Sequence, residues 1–240
     1  MSKLAVQLYT LREEAGKDFI GTLEKIAALG YEGVEFAGFF DIPANVLKNQ
    51  LDRLGLTPVG SHTPLEQLVD HLDEVITYNK TIGNSNIVCP WSGVKDEESL
   101  EVLVAQLKKV VQRLQDEDMI LLYHNHDHEF KKIGENYLLE LLFEKCEGLY
   151  AEIDTYWVHH AGVDVIEYLM KHKDRVKLIH LKDGIGHELK AIGEGTAPVK
   201  QVMELMQKWP MEWVVVENDE PSPNGLKDIE RSMTYIKNQF

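Results

Sequence analysis

Positive charge and cysteine are scarce in this chain of 240 residues. Lysine and arginine total 25, against 40 aspartate and glutamate residues, which gives a net charge of −15. Because nucleic acids and anionic membrane surfaces are bound through lysine and arginine, neither is an expected partner. The two cysteines, Cys89 and Cys146, have no CxxC spacing, so the sequence predicts neither a thiolate zinc site nor a disulfide framework.

Long apolar segments and nucleotide-binding motifs are also missing. No apolar stretch approaches the length of a membrane span, and the first residues, MSKLAVQLYT, lack the apolar core of a signal peptide. We therefore expect a soluble, cytoplasmic protein. The GEG at 193–195 is not part of a dinucleotide-binding fingerprint, and no P-loop is present, so no nucleotide cofactor is predicted.

Short apolar runs alternate with longer amphipathic segments along the whole chain. The apolar runs predict strands at 3–9, 31–36, 56–62, 85–90, 119–124, 149–154, 175–183 and 212–219. The amphipathic segments predict helices at 18–30, 43–55, 64–83, 97–117, 136–146, 164–172, 198–209 and 226–240. The strands are nearly continuous in apolar residues, as is typical of parallel strands covered on both faces.

This alternation amounts to eight βα units, which fit an α/β protein built as a single (β/α)8 TIM barrel. A doubly wound sheet is the alternative, and the strand number and even spacing favour the barrel. Because no glycine- or serine-rich linker interrupts the pattern, we expect one domain over residues 1–240.

The active site of such a barrel lies at the carboxyl ends of its strands. The last four apolar runs end on His124, Asp154, His180 and Glu217. Ionisable groups are costly at buried strand ends unless they are paired or bound to a metal, and these donors suit Mn, Co, Zn, Fe(II) or Mg. We therefore predict one divalent metal ion at these four residues, with a set of solvated cap residues as the alternative.

Other candidate residues lie at or just beyond strand ends. Trp91 and Trp157 can stack on a sugar ring, or alternatively form a hydrophobic plug between loops. Lys182 follows His180 by two residues and either contacts a substrate oxygen or forms a salt bridge with Asp183 or Glu217. We also predict that three further residues either contact the substrate or orient a residue that does, namely Glu35, His62 and His126.

The segments YHNHDHEF, EIDTYW, IHLKD, GEG and VVVEND resemble the sugar phosphate isomerase/epimerase family, which has a xylose isomerase-like barrel. The resemblance extends along the whole chain, from LYTLREE and GYEGVEFAG onward, and is more specific for the fold and metal site than for the substrate. Members include ketose 3-epimerases, inosose dehydratases and isomerases, enzymes that act on keto-glycosides and, more distantly, AP endonucleases.

The chain departs from this family at one ligand. The epimerases bind metal through Glu, Asp, His and Glu at the ends of strands five to eight, so the resemblance implies Asp154, His180 and Glu217 as the last three. His124 stands in place of the first glutamate, which in those enzymes is also an acid/base group. Glu129 or Glu152 is then the candidate for part of that role.

The resemblance implies a metal-dependent sugar isomerase or epimerase that transfers a proton next to a carbonyl, with Glu217 and Glu152 as candidate bases and Lys182 as a further catalytic group. A dehydratase or lyase acting on an inosose or keto-glycoside is the main alternative. A catalytically silent binding protein and an AP-endonuclease-like nuclease are weaker ones, and the net charge of −15 opposes the nuclease. The expected partner is a small carbohydrate, and a homo-oligomer is compatible with the sequence.

Overall fold

Eight parallel strands close into a barrel in the computed structural model, which describes residues 2–209 and 211–240. Neighbours in the barrel follow chain order, and the last strand closes on the first with Val214 beside Leu4. The predicted (β/α)8 barrel is therefore confirmed, and the alternative of a doubly wound sheet is excluded because the sheet is closed. The strands are β1 (Lys3–Gln7), β2 (Gly33–Phe36), β3 (Thr57–His62), β4 (Asn86–Cys89), β5 (Ile120–His124), β6 (Tyr150–Asp154), β7 (Val176–Leu181) and β8 (Trp213–Val216).

Helices cover the outside of the barrel in the described part of the chain. They are α1 (Arg12–Lys17), α2 (Phe19–Leu29), α3 (Ala44–Leu54), α4 (Leu65–Asp70), α5 (Leu72–Ile82), α6 (Glu97–Gln115), α7 (Leu138–Lys145), α8 (Thr155–His160), α9 (Val165–Lys171), α10 (Val199–Lys208) and α11 (Gly225–Gln239). None of them is long and apolar enough to cross a membrane. Two short hairpins join Lys132–Ile133 to Asn136–Tyr137 and Asp183–Ile185 to Glu188–Lys190.

Local signals explain several helix boundaries. Asp18 begins α2, because its side chain accepts a hydrogen bond from the Gly21 amide at 2.9 Å. Gly30 ends α2 at φ 95°, a left-handed conformation that glycine adopts without strain. Asp96 and Ser99 form a capping box at the start of α6. These boundaries could therefore be read from the sequence.

Several element predictions were wrong in detail, and α1 at Arg12–Lys17 was not predicted. The helix predicted at 64–83 is two helices, α4 and α5, which meet at His71 without a proline or glycine. Leu68 and Ile76, one on each helix, are both buried, so packing rather than a local breaker sets this bend. Residues 155–160 form α8, which was not predicted, and the predicted strand seven ends at Leu181 because Asp183 begins a hairpin.

The interior of the barrel has two layers, which we call the apolar layer and the charged layer. The apolar layer is a compact cluster of Ala5, Val59, Val88, Leu122, Leu178, Trp213 and Val215. Because every second residue of a strand faces the same side, the next inward residue after Leu178 is His180. The same step leads from Leu122 and Val215 to the other members of the charged layer, His124 and Glu217. The barrel thus places the charged layer next to the apolar layer, on the side of the carboxyl ends of the strands.

Candidate metal centre and substrate cavity

Four potential metal ligands converge at the carboxyl ends of β5 to β8. Donor atoms of His124, Asp154, His180 and Glu217 all lie within 4.8 Å of one another. All four side chains are buried, with at most 3% of any residue exposed. The strand ends therefore bring together the four residues for which the sequence predicts a metal site.

Both ring nitrogens of His124 lack a hydrogen-bond partner among the described residues, and the nearer one, Nε2, is 3.5 Å from Asp154 Oδ2. The Asp154 carboxylate is held on both sides: Oδ1 accepts the amides of Tyr156 and Trp157 at 2.9 and 3.0 Å, and Oδ2 is 2.8 Å from Lys182 Nζ. Burial lowers the pKa of His124, which favours the neutral imidazole that binds metals. A neutral imidazole without a hydrogen-bond partner, beside an ionised carboxylate, is a donor set that fits a divalent cation.

Lys182 lies fully buried among three carboxylates. Its Nζ is 2.8 Å from Asp154 Oδ2, Glu217 Oε2 and Asp219 Oδ2. Burial opposes the charge on the ammonium, but the three carboxylates raise the pKa of Lys182 well above its ordinary value. Burial likewise opposes ionisation of Asp154, yet Lys182 lowers its pKa to about 2. One ammonium among three carboxylates leaves an excess of negative charge at this point.

A second cluster lies against the first and shares His180 with it. Its donor atoms, from Glu35, His62, Glu152 and His180, are also within 4.8 Å of one another. His180 Nε2 is 2.6 Å from Glu35 Oε2, and His62 Nε2 is 2.7 Å from Glu152 Oε2. Burial, and then repulsion from Glu152, raise the pKa of Glu35 to about 7. The carboxylates of this cluster are thus matched by imidazoles.

Glu129 lies apart from both clusters. Its Oε1 accepts the Tyr123 hydroxyl at 2.9 Å, and its Oε2 accepts the His126 amide at 2.7 Å. His128 Nε2 is 3.0 Å from the same carboxylate. Glu129 therefore holds the turn after β5 and, with His126 and His128, forms a third group of donor atoms within 4.8 Å of one another, whereas His124 is the strand-five side chain in the first cluster.

A cavity of about 630 Å³ opens above the metal centre. Its wall includes the predicted substrate residues His62, Trp91 and His126, together with His124 and Glu217. The other predicted site residues do not line it, namely Glu35, Glu152, Asp154, Trp157, His180 and Lys182. Glu35, Glu152 and Lys182 are fully buried. Trp157 instead lies near Lys182, whose Nζ is 5.4 Å from the centre of the indole ring.

Two residues of the site were missed in the sequence. Asp219 both lines the cavity and binds Lys182. It follows Glu217 by two residues and lies inside the strand predicted at 212–219, but the observed strand ends at Val216 and Asp219 lies in the bend that follows. Gln7 donates from Nε2 to Glu35 Oε2 at 2.9 Å, and nothing in its local sequence indicates that contact.

Comparison with known proteins agrees with this architecture. The family described as the xylose isomerase-like TIM barrel matches residues 23–239. Hydroxypyruvate isomerase of Escherichia coli (strain K12) is 23% identical over 192 residues, which are 69% of this chain and 74% of that protein.

Solved structures show the same fold. A sugar phosphate isomerase/epimerase from Parabacteroides distasonis superimposes with a TM-score of 0.85 at 22% identity, covering 98% of this chain and 93% of that chain. The IOLI protein, solved with a bound zinc atom, gives a TM-score of 0.79 at 14% identity, covering 99% of both chains. At these identities the two structures establish the fold alone. With nearly the whole chain matched by the family and the barrel closed as that family requires, this protein belongs to the xylose isomerase-like TIM barrel family.

Proposed function

We propose that this protein is a divalent-metal-dependent isomerase or epimerase of keto-sugars or polyols. The observation that carries the proposal is the convergence of His124, Asp154, His180 and Glu217 within 4.8 Å, beside a cavity of about 630 Å³ that His124 and Glu217 line. Membership of a family whose relatives include isomerases supports the same reaction class.

The charge and chemistry of the four residues support one bound divalent ion. Imidazole and carboxylate donors without sulfur suit Mn, Co, Zn, Fe(II) or Mg. A metal in this position polarises a carbonyl and makes the adjacent carbon-bound proton more acidic. Lys182 neutralises only part of the charge of Asp154, Glu217 and Asp219, so the centre keeps a negative charge that attracts a cation.

Glu217 is the better placed of the two candidate bases. It lines the cavity, whereas Glu152 is fully buried and reaches the cavity only through its 2.7 Å contact with His62. We therefore assign proton transfer at carbon to the Glu217 carboxylate. Glu152 holds the His62 ring, which lines the cavity, and Lys182 holds Glu217 in position through Oε2.

Deuterium incorporation at carbon tests this proposal directly. Ketohexoses, ketopentoses and inososes are incubated in D₂O with protein loaded with Mn(II), Zn(II) or Mg(II), and products are analysed by mass spectrometry. We expect metal-dependent deuterium uptake that a chelator abolishes. Glu217→Gln should lose exchange by at least about 100-fold, because it removes the basic group and keeps the shape. The matched control is Glu98→Gln, on the exposed first turn of α6.

The outcomes separate the alternatives. A product lighter by one water identifies the dehydratase or lyase, which shares the first proton transfer. Normal exchange in Glu217→Gln together with lost exchange in Glu152→Gln would assign the base to the Glu152–His62 pair. Failure to bind metal and to exchange any of these substrates contradicts the proposed function and leaves a binding protein of the same fold.

A further inference from the structure

The cavity above the metal centre is built from two chemically different halves of the barrel mouth. The metal centre lies on β5 to β8, at the polar floor of the cavity. Most of the lining that follows β1 to β4 is apolar. We call this part the apolar wall, and it consists of Tyr9, Phe39, Pro64, Val75, Pro90 and Trp91. A substrate that reaches the metal centre therefore has an apolar surface beside it.

The aromatic side chains of the apolar wall are available to a ligand. Phe39 is fixed from behind, because its ring stacks on Tyr78 at 4.0 Å between centroids and Tyr78 donates to the Ile42 carbonyl at 2.6 Å. Trp91 is 56% exposed and Tyr9 is 43% exposed. Exposed aromatic faces at the rim of a preformed cavity are surfaces on which rings stack.

The cavity is larger than a single sugar requires. A water molecule takes about 30 Å³ of liquid volume, so the 630 Å³ cavity has room for about twenty groups of that size. A ketohexose has six carbon atoms and six oxygen atoms, and with about one water volume for each carbon–oxygen pair it fills roughly a third of that space. A single ketohexose with its carbonyl at the metal centre leaves space for a second ring along the apolar wall.

The charges around the cavity disfavour a phosphate group. No lysine or arginine lines it among the described residues, whereas Glu217 and Asp219 do. The nearest cations are already used. Lys182 is fully buried among its carboxylates, and Arg12 donates to the carbonyls of Tyr9 and Asp219 at 2.8 and 3.0 Å. Because phosphate is bound most strongly by arginine and lysine, and those near this cavity are already paired, the cavity disfavours a phosphate group.

We infer that the substrate is an uncharged keto-sugar that carries a second ring, with the keto-sugar on the polar floor and the second ring against Phe39 and Trp91. This inference rests on the proposed function, since it takes the metal centre as the place where the carbonyl binds. It adds the substrate class, and it makes the apolar wall a specificity-determining surface and Asp219 a residue that disfavours anionic sugars.

Three matched sugars test the inference by calorimetric binding to the metal-loaded protein. Fructose, fructose 6-phosphate and isomaltulose share one ketose and differ at carbon six, which carries a hydroxyl, a phosphate or a glucosyl ring. We expect isomaltulose to bind about tenfold more tightly than fructose, because only its second ring stacks on the apolar wall. Fructose 6-phosphate should bind more weakly than fructose.

Variants locate the second ring. Trp91→Ala and Phe39→Ala should each reduce the ratio of isomaltulose to fructose affinity toward one, and Asp219→Asn should reduce the penalty on fructose 6-phosphate. Val46→Ala, on the exposed face of α3, is the control and should keep the ratio. If fructose binds and isomaltulose binds no more tightly, or the phosphate binds best, this inference is wrong and the proposed function stands. A protein that binds neither metal nor any of the three sugars contradicts both.

Discussion

The two layers inside the barrel are built by the same strands and differ in what holds them together. Leu178 belongs to the apolar layer, and His180, two residues further along β7, belongs to the charged layer. Removal of apolar surface from water stabilises the first layer. Burial of charge costs free energy in the second, and ion pairs such as His180 with Glu35 offset that cost. One backbone geometry thus supports a stabilising layer and a reactive layer, 2 residues apart.

The largest effect on stability should come from the apolar layer. Leu178→Ala deletes a fully packed side chain, and we expect the free energy of unfolding to fall by about 2–5 kcal/mol. Urea denaturation of the metal-free protein measures this loss. The folded variant should retain its metal affinity, since the charged layer is intact. A loss of metal affinity as large as that of a ligand variant would show that the two layers do not act separately.

The corresponding change in the charged layer should act on metal binding instead. His124→Ala removes a side chain that forms no hydrogen bond among the described residues, so the metal-free barrel should lose less stability than with Leu178→Ala. Metal affinity should fall by about 100-fold, which corresponds to about 2.7 kcal/mol. Calorimetric metal titration measures it, with exposed His71→Ala as the control. Unchanged affinity would exclude His124 as a ligand.

A substitution between the layers should affect both properties moderately. A Cβ at Gly60 would lie 2.4 Å from Glu35 Oε1 and 3.3 Å from Leu178 Cδ1. Gly60→Ala therefore has to displace Glu35 from His180, and we expect a loss of about 1–3 kcal/mol in stability. Exchange activity should fall by about tenfold, because the His180 ring loses a partner. Wild-type stability and activity in this variant would show that Glu35 moves without consequence.

The smallest effect should come from a buried acid outside both layers. Burial raises the pKa of Asp228, on α11, to about 6 from an ordinary value of 3.8. The folded protein therefore retains a proton that the unfolded chain has already lost, so stability falls as pH rises from about 4 to about 6. The melting temperature of Asp228→Asn minus that of the wild type should therefore be larger at pH 7 than at pH 4. If this difference in melting temperature is the same at both pH values, the pKa of Asp228 is not raised in the folded protein.

Much of the site could be predicted because it depends on where single strands end. Each of the last four apolar runs ends on an ionisable residue, and a parallel barrel brings the carboxyl ends of all its strands to the same rim. Hence His124, Asp154, His180 and Glu217 could be named from the sequence, and the structure brings their donor atoms together. Asp219 was missed because it lies beyond the end of β8 at Val216, in a bend whose conformation brings its carboxylate to Lys182.

The sequence by itself determined the order of strands and helices and the residues at the strand ends, because apolar periodicity and helix caps are local properties. Only the tertiary structure decided which of those residues meet. Glu35 and His180 are 145 residues apart and come within 2.6 Å because closure of the barrel brings β2 and β7 around one interior. The three carboxylates that surround Lys182 likewise come from separate strands and loops, and so do the residues of the apolar wall. No local pattern encodes these contacts.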